Sequence, residues 1–193
     1  MSDDRIYVRD FGPIPPVFHE FLEDRPFLKC LVCTQDLLDD GTLYSVQKSY
    51  VGEEVVLQYA ICMSCQVEQV DKELSKESAE AIHRYFSEQV DFETRNHELL
   101  GAETVTVDPW IDRCLMCGLE RAEARGYTLV AVCDGPDILY HNVPLMICSR
   151  CEGAFVKLLS KKTREMLDDF TETYFDCPPS MEDLPFFGKP VLI

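Results

Sequence analysis

Apolar residues recur along this chain with two periods, and each period marks a different element. Thr42 to Val51 has strand composition, Gly52-Glu53-Glu54 reads as a turn, and Val55 to Ile61 is again rich in strand formers. Past residue 66 the spacing changes. Val67, Val70 and Leu74 fall three and four apart, which predicts a helix. Ser75 reads as an N-cap, after which Ile82, Tyr85, Phe86 and Val90 continue an amphipathic helix. The same order returns later. Gly126 to Cys133 and Ile138 to Ile147 form a second hairpin around Asp134-Gly135-Pro136-Asp137, with Pro144 placed at an edge or bulge. Phe155, Val156, Leu158 and Leu159 then lead to a Ser160 cap, followed by Met166, Leu167, Phe170 and Tyr174.

Four C-x-x-C pairs punctuate this pattern. Cys30-Leu31-Val32-Cys33 precedes the first hairpin and Cys62-Met63-Ser64-Cys65 ends it. Cys114-Leu115-Met116-Cys117 and Cys148-Ser149-Arg150-Cys151 frame the second. The gaps are 28 residues (34 to 61) and 30 residues (118 to 147). Each C-x-x-C turn puts two sulfurs on one side of a tight loop, and two such turns make the tetrahedral cage that structural zinc prefers. The echo extends beyond cysteine: Ala60-Ile61-Cys62 matches Met146-Ile147-Cys148, and Leu74-Ser75-Lys76 matches Leu159-Ser160-Lys161. The offsets of 84 to 86 residues (30 to 114, 62 to 148, 74 to 159) indicate an internal duplication of domain size.

Knuckle, hairpin, then a C-x-x-C opening a helix resembles the treble-clef zinc fingers over both cysteine-bearing halves. The resemblance implies one ligand set of Cys30, Cys33, Cys62 and Cys65, and a second of Cys114, Cys117, Cys148 and Cys151, with two structural zinc ions per chain. The fold class is then α+β: two tandem treble-clef-like fingers packed as one unit. Residues 1–23 form a leader on the first finger, 24–101 the first finger with its helical extension, 102–177 the second, and 178–193 an extended tail. Within the leader, Phe11 to Pro16 is extended and Val17 to Leu22 reads as a short helix. Asp91 to Leu100 extends the first helix, Thr104 to Val107 is strand-like, and Glu120 to Arg125 makes a helical turn. The helical segments 66–90 and 152–175 carry apolar stripes too long for a hairpin to cover, so the two halves should cover each other; pairing between two chains is the rival arrangement.

Composition narrows the function. With a formal net charge of −17, and −2 added by each zinc with four thiolates, nucleic acid is disfavoured as a partner. No apolar run of about 18 residues is present, so no membrane span is expected. No signal peptide is visible at Met1-Ser2-Asp3-Asp4-Arg5, so the ten cysteines read as metal ligands in a reducing cytoplasm rather than as disulfides. Cys133 and Cys177 read as buried thiols, Trp110 as core, and His19, His83, His97 and His141 as structural or surface residues. Lys29 and Arg113, each just before a first cysteine, are placed to offset thiolate charge. A four-cysteine site is closed to substrate, and neither a deaminase H-x-E nor a paired nuclease histidine exists, so no enzyme is expected. The reading is a non-catalytic zinc protein acting as an interaction or adaptor module for an unidentified protein partner. A nucleic-acid-binding regulator and a rubredoxin-like iron carrier are the alternatives, the second because tetrahedral sulfur also suits iron.

Overall fold

Strand β2 (Leu43–Val51) turns through Gly52, whose φ of 61° favours a residue without Cβ, into β3 (Glu54–Cys62). Strand β4 (Gly126–Asp134) turns through Gly135 into the short β5 (Asp137–Leu139), and β6 (Leu145–Cys148) returns along β4. In the computed structural model, which describes residues 11–175, these join β1 (Phe11–Pro13) in a six-stranded antiparallel sheet ordered β1-β5-β4-β2-β3, with β6 also on β4. Cys177 and the 178–193 tail lie outside the described residues, as do the first ten residues of the leader.

The decisive pairing is between the hairpins. β2 and β4 run antiparallel from Leu43↔Asp134 to Val51↔Gly126, with Gln47 opposite Val130 midway along both strands. A central strand is buried on both faces, and β2 shows it: Tyr44, Val46, Gln47, Lys48 and Ser49 are all buried. Its even-numbered residues face the leader, where buried Phe18 sits on a short 3₁₀ turn (Pro16–Phe18) and Lys48 Nζ donates to the His19 carbonyl at 2.6 Å. Its odd-numbered residues face the helices. There the Tyr59 hydroxyl donates to Gln47 at 2.8 Å, and Ser49 and Thr128 share a 3.0 Å hydrogen bond, so the buried polar groups are partnered.

Helix α1 (Met63–Gln66) runs into one π turn (Val67–Asp71), and α2 (Lys76–Gln89) follows. Then come α3 (Phe92–Leu100), α4 (Asp108–Ile111), a 3₁₀ turn at Arg121–Glu123, α5 (Ser149–Val156) and α6 (Lys161–Tyr174). The apolar stripes of the two halves do cover one another. Val70, Leu74 and Ile82 pack with Phe155, Leu159 and Leu167 in a second small core. Phe170 and Phe175 lie against Tyr59 of β3, while Tyr85 and Phe86 of α2 lie against Phe155 of α5.

Four expectations need correction. The helix expected over Val17–Leu22 reduces to the Pro16–Phe18 turn, because the chain becomes extended at His19. The second-half return strand is interrupted between Leu139 and Leu145, and Pro144, which has no N–H to donate, stands just before β6. Residues 104–107 form no strand. Residues 91–100 do not prolong α2: Val90 is extended, and the Asp91 carboxylate caps a new helix by accepting from Thr94 N–H at 3.0 Å. That helix carries Arg95, whose guanidinium donates to the carbonyls of Trp110, Asn142 and Pro144 and lies 4.6 Å from the Trp110 ring. Trp110 is thus core, held beneath the Arg95 cation.

The caps of α2 and α6 touch. Ser75 accepts from Ser78 N–H and Ser160 from Thr163 N–H, each at 3.2 Å, and the two cap hydroxyls are 2.8 Å apart. The bonds also cross over: Ser75 N–H donates to Thr163 Oγ1 and Ser160 N–H to Ser78 Oγ. Two positive helix ends meet here, and four hydroxyl oxygens absorb their free N–H groups. Ser75→Ala and Ser160→Ala should each cost about 1–2 kcal/mol in urea unfolding. Because the caps share partners, the double mutant should depart from additivity by about 0.5 kcal/mol or more; additive losses would mean the caps act separately.

Candidate metal centres

Each quartet is assembled from a knuckle and a strand-to-helix junction. In the first knuckle Thr34 N–H donates to the Cys30 carbonyl and Cys30 N–H to the Gln35 carbonyl, both at 3.0 Å. In the second, Gly118 N–H donates to Cys114 and Cys114 N–H to Leu119, both at 2.8 Å. The residue after each second knuckle cysteine is left-handed: Thr34 at φ 61° and Gly118 at φ 70°. Each knuckle is then tied to the strand that delivers the other cysteine pair, through Leu31 N–H to Ala60 O and Leu115 N–H to Met146 O, both 2.8 Å. Cys62 and Cys148 are extended residues that end β3 and β6 and open α1 and α5. Their own N–H groups donate to the knuckle sulfurs, Cys62 to Cys30 Sγ at 3.4 Å and Cys148 to Cys114 Sγ at 3.3 Å.

The result is two four-sulfur clusters that could each hold a metal ion: Cys30, Cys33, Cys62 and Cys65, and Cys114, Cys117, Cys148 and Cys151. Within each, every sulfur lies within 4.8 Å of the others. Cys33 and Cys62 sulfurs are 3.7 Å apart, Cys117 and Cys148 sulfurs 3.8 Å. A tetrahedron with metal–sulfur bonds of about 2.3 Å has edges of about 3.8 Å, whereas a disulfide would need about 2.05 Å. The donor set and its spacing therefore fit a tetrahedral thiolate metal site.

Protonation favours the same conclusion. Burial works against ionisation of Cys30, but backbone N–H groups of Cys33, Cys62 and Val32 and the Cys33 thiol outweigh it and bring it to about 7. For Cys117, burial is likewise outweighed, by the Leu119 N–H, Arg150 and the Cys151 and Cys114 thiols, and the thiol falls to about 6. Burial raises Cys62, Cys65, Cys114 and Cys151, and neighbouring sulfurs add to it. Cys30 and Cys117 are thus the readier thiolates, and Cys62, Cys65, Cys114 and Cys151 resist ionising, so a metal must displace protons as it binds.

Among the described residues Cys133, His19 and His141 stand apart from both clusters. Cys133 is buried at the end of β4, pushed up to about 12 by burial, and belongs to neither cluster. His19 bonds to the carbonyls of Ile14 and Asp24, and His141 to Asn96. Lys29 and Arg113 do not offset thiolate charge as expected. They pair with Asp36 at 2.7 Å and Glu120 at 2.6 Å across the base of each knuckle. The cation that does reach sulfur is Arg150, inside the fourth C-x-x-C where the second has Ser64. That inequality was visible in the sequence and went unread. Tyr85, expected only on the apolar face of its helix, sends its hydroxyl from α2 to the Cys151 carbonyl at 3.4 Å. Glu152, beside Cys151, is buried under the sheet and raised to about 7 by that burial, against a hydrogen bond to Thr128.

Thr34 is a β-branched residue in a conformation that suits glycine, at a cost of about 1–2 kcal/mol. Thr34→Gly should therefore stabilise the metal-loaded protein by about 1 kcal/mol in denaturant unfolding. Gly118→Thr should cost about as much, through the backbone alone, since nothing lies within 4 Å of a Cβ built there. A destabilised Thr34→Gly would contradict this account of the knuckle. Compared with family models, curated proteins and solved structures, the chain matches none.

Proposed function

We propose that the eight cysteines hold two structural zinc ions, and that the protein is a non-catalytic interaction or adaptor module of a reducing, cytoplasmic environment. The observation that carries the zinc reading is the pair of four-sulfur clusters at tetrahedral spacing, each clamped between a knuckle and a strand-to-helix junction. Four protein sulfurs fill a tetrahedral ion and leave no position for substrate, which favours a structural over a catalytic role. We further read the halves as treble-clef-like fingers related by duplication, the first over 24–101 and the second over 102–177. The support is that the same knuckle, strand and N–H···S bonds recur in both at corresponding positions. The net charge of −17 favours a protein partner over nucleic acid, whose phosphates need a cationic footprint. None of the described helices is long and apolar enough to cross a membrane.

Purified protein should contain two zinc ions per chain by mass spectrometry and be colourless. Visible thiolate-to-iron absorption, or one ion in a fully folded sample, would overturn the assignment. Cys65→Ser and Cys151→Ser should each lose one ion and unfold the surrounding half, because site formation and folding are coupled. Cys133→Ser should keep both. In a gel-shift series at low salt the protein should leave DNA and RNA unretarded; salt-sensitive retardation would favour the nucleic-acid regulator instead.

A further inference from the structure

Between the leader's 3₁₀ turn and the first knuckle, residues 19–25 fold into a small loop fixed almost wholly by polar bonds. Glu20 N–H donates to the Arg25 carbonyl at 2.8 Å, closing the base, and Asp24 N–H donates to the Glu20 carbonyl at 3.0 Å. The Glu20 carboxylate accepts from Leu22 N–H at 3.2 Å and Glu23 N–H at 2.8 Å. The His19 ring reaches both Ile14 O and Asp24 O. Two residues of the sheet anchor the loop from below. Gln58 of β3 accepts from Phe21 N–H and donates to Glu20, and Lys48 of β2 donates to the His19 carbonyl. Lys48 is only 3% exposed, so a charged side chain is taken out of water to hold a surface loop in place. Asp24 adopts a left-handed φ of 46°, a further constraint on the backbone.

What the loop displays is apolar. Phe21 is 62% and Leu22 85% exposed, and neither belongs to the hydrophobic cores among the described residues. A solvated surface loop needs no such pair, and the bonds that order it are made by other groups. A rigid loop that presents an aromatic and an aliphatic side chain has already borne the ordering cost that usually weakens binding. The flanking charge narrows the partner. Glu20, Glu23 and Asp24 surround the pair, and of the described cations nearby Arg25 is engaged with Glu23 at 3.0 Å while Lys48 is buried beneath the loop. An anionic lipid surface, or a second copy carrying the same net charge of −17, would be repelled.

We propose that the 19–25 loop is a docking knob whose Phe21 and Leu22 enter an apolar pocket, rimmed by lysine or arginine, on a protein partner. The proposal rests on the interaction-module reading and names its contact surface, independently of which metal fills the sulfur clusters.

The test places photoreactive benzoylphenylalanine at position 22 of the full metal-loaded chain in its native cells, with the same probe at Lys76, whose side chain is 90% exposed on α2, as control. Illumination should give a discrete adduct with one other protein from position 22 and not from position 76. Mapped to its peptide, the cross-link should lie in an apolar cavity flanked by basic residues. Phe21→Ser, which removes an exposed side chain and should leave metal content and melting unchanged, should lower the adduct yield about tenfold or more. Adducts to lipid, to a second copy, to the chain's own terminal segments, or equally from both positions would overturn the proposal. Discrete adducts from other exposed positions but none from 22 would overturn the loop and leave the interaction reading standing. The absence of adducts from every position would overturn both, while the zinc assay reads the metal assignment separately.

Discussion

Nine consecutive residue pairs between β2 and β4 hold the two cysteine-bearing halves in one sheet, and most other features answer to that ladder. It turns two hairpins, each marginal alone, into a sheet with a buried centre. It places the sulfur clusters at its opposite ends. Cys62 lies opposite Tyr44, near the start of β2, and Cys148 opposite Tyr127, near the start of β4. The two starts are at opposite ends of an antiparallel pair, roughly 20 Å apart at about 3.4 Å per residue. Each end of the sheet is thereby closed by its own knuckle. The ladder also makes β2 a strand with two buried faces, which accounts for the side chains it carries. Gln47, Lys48 and Ser49 would be surface residues in an isolated finger, and here each has a polar partner: Tyr59 and Thr128 on the neighbouring strands for Gln47 and Ser49, and the leader's His19 carbonyl for Lys48.

With the sheet fused, the helices have one side left to occupy, and they converge on it from both halves. α2 and α6 start within hydrogen-bonding distance of each other. Such an approach of two positive helix ends is unfavourable unless their free N–H groups find acceptors close by. Ser75 and Ser160 accept from N–H groups of their own helices, and Ser78 and Thr163 from the cap N–H of the neighbouring one. A hydroxyl suits this point better than a carboxylate, because it donates as well as accepts and can close a small network of its own kind. Beyond the caps the helices diverge to different ends: Phe170 of α6 reaches Tyr59 in the first half, and Tyr85 of α2 reaches Cys151 in the second. Each half is therefore finished by side chains from the other.

The sequence made local features legible and left the relation between the halves largely unread. The first hairpin, the outgoing strand of the second, the Ser75 and Ser160 caps and the grouping of the cysteines follow from periods and spacings that act over a few residues, and these are found where expected. The β2–β4 pairing was invisible because it joins residues some eighty apart, and strand composition does not name a strand's neighbour. Pro144 was read as compatible with a strand edge, whereas it stands where the strand is interrupted, since nothing local fixes how far pairing resumes on either side. The strand-like Thr104 to Val107 lacks any partner strand in the sheet, and β-propensity without a partner does not make a strand. The π turn after Gln66 leaves the apolar spacing of Val67, Val70 and Leu74 almost unchanged, so helical periodicity could not reveal it. Lys29 and Arg113 sit beside sulfur in sequence, but each knuckle brings Asp36 or Glu120 back to the same point.

That last correction bears on how the clusters tolerate their own charge. Four thiolates around a divalent ion would leave an excess of negative charge at each end of the sheet of an already acidic chain. Lys29 and Arg113 are committed to carboxylates, and among the described residues only the second cluster has Arg150 at hand. What both clusters share is backbone: the Cys62 and Cys148 N–H groups aimed at knuckle sulfur, within knuckles closed by the same pair of turns. Backbone dipoles cost nothing to bring to the site once the knuckle has formed, and no substitution of a surface side chain removes them. The spacing of the four sulfurs is thus set by chain path rather than by flanking residues. This explains how the two halves can carry Ser64 in one and Arg150 in the other, Gln66 in one and a buried Glu152 in the other, and still bring four sulfurs to the same spacing.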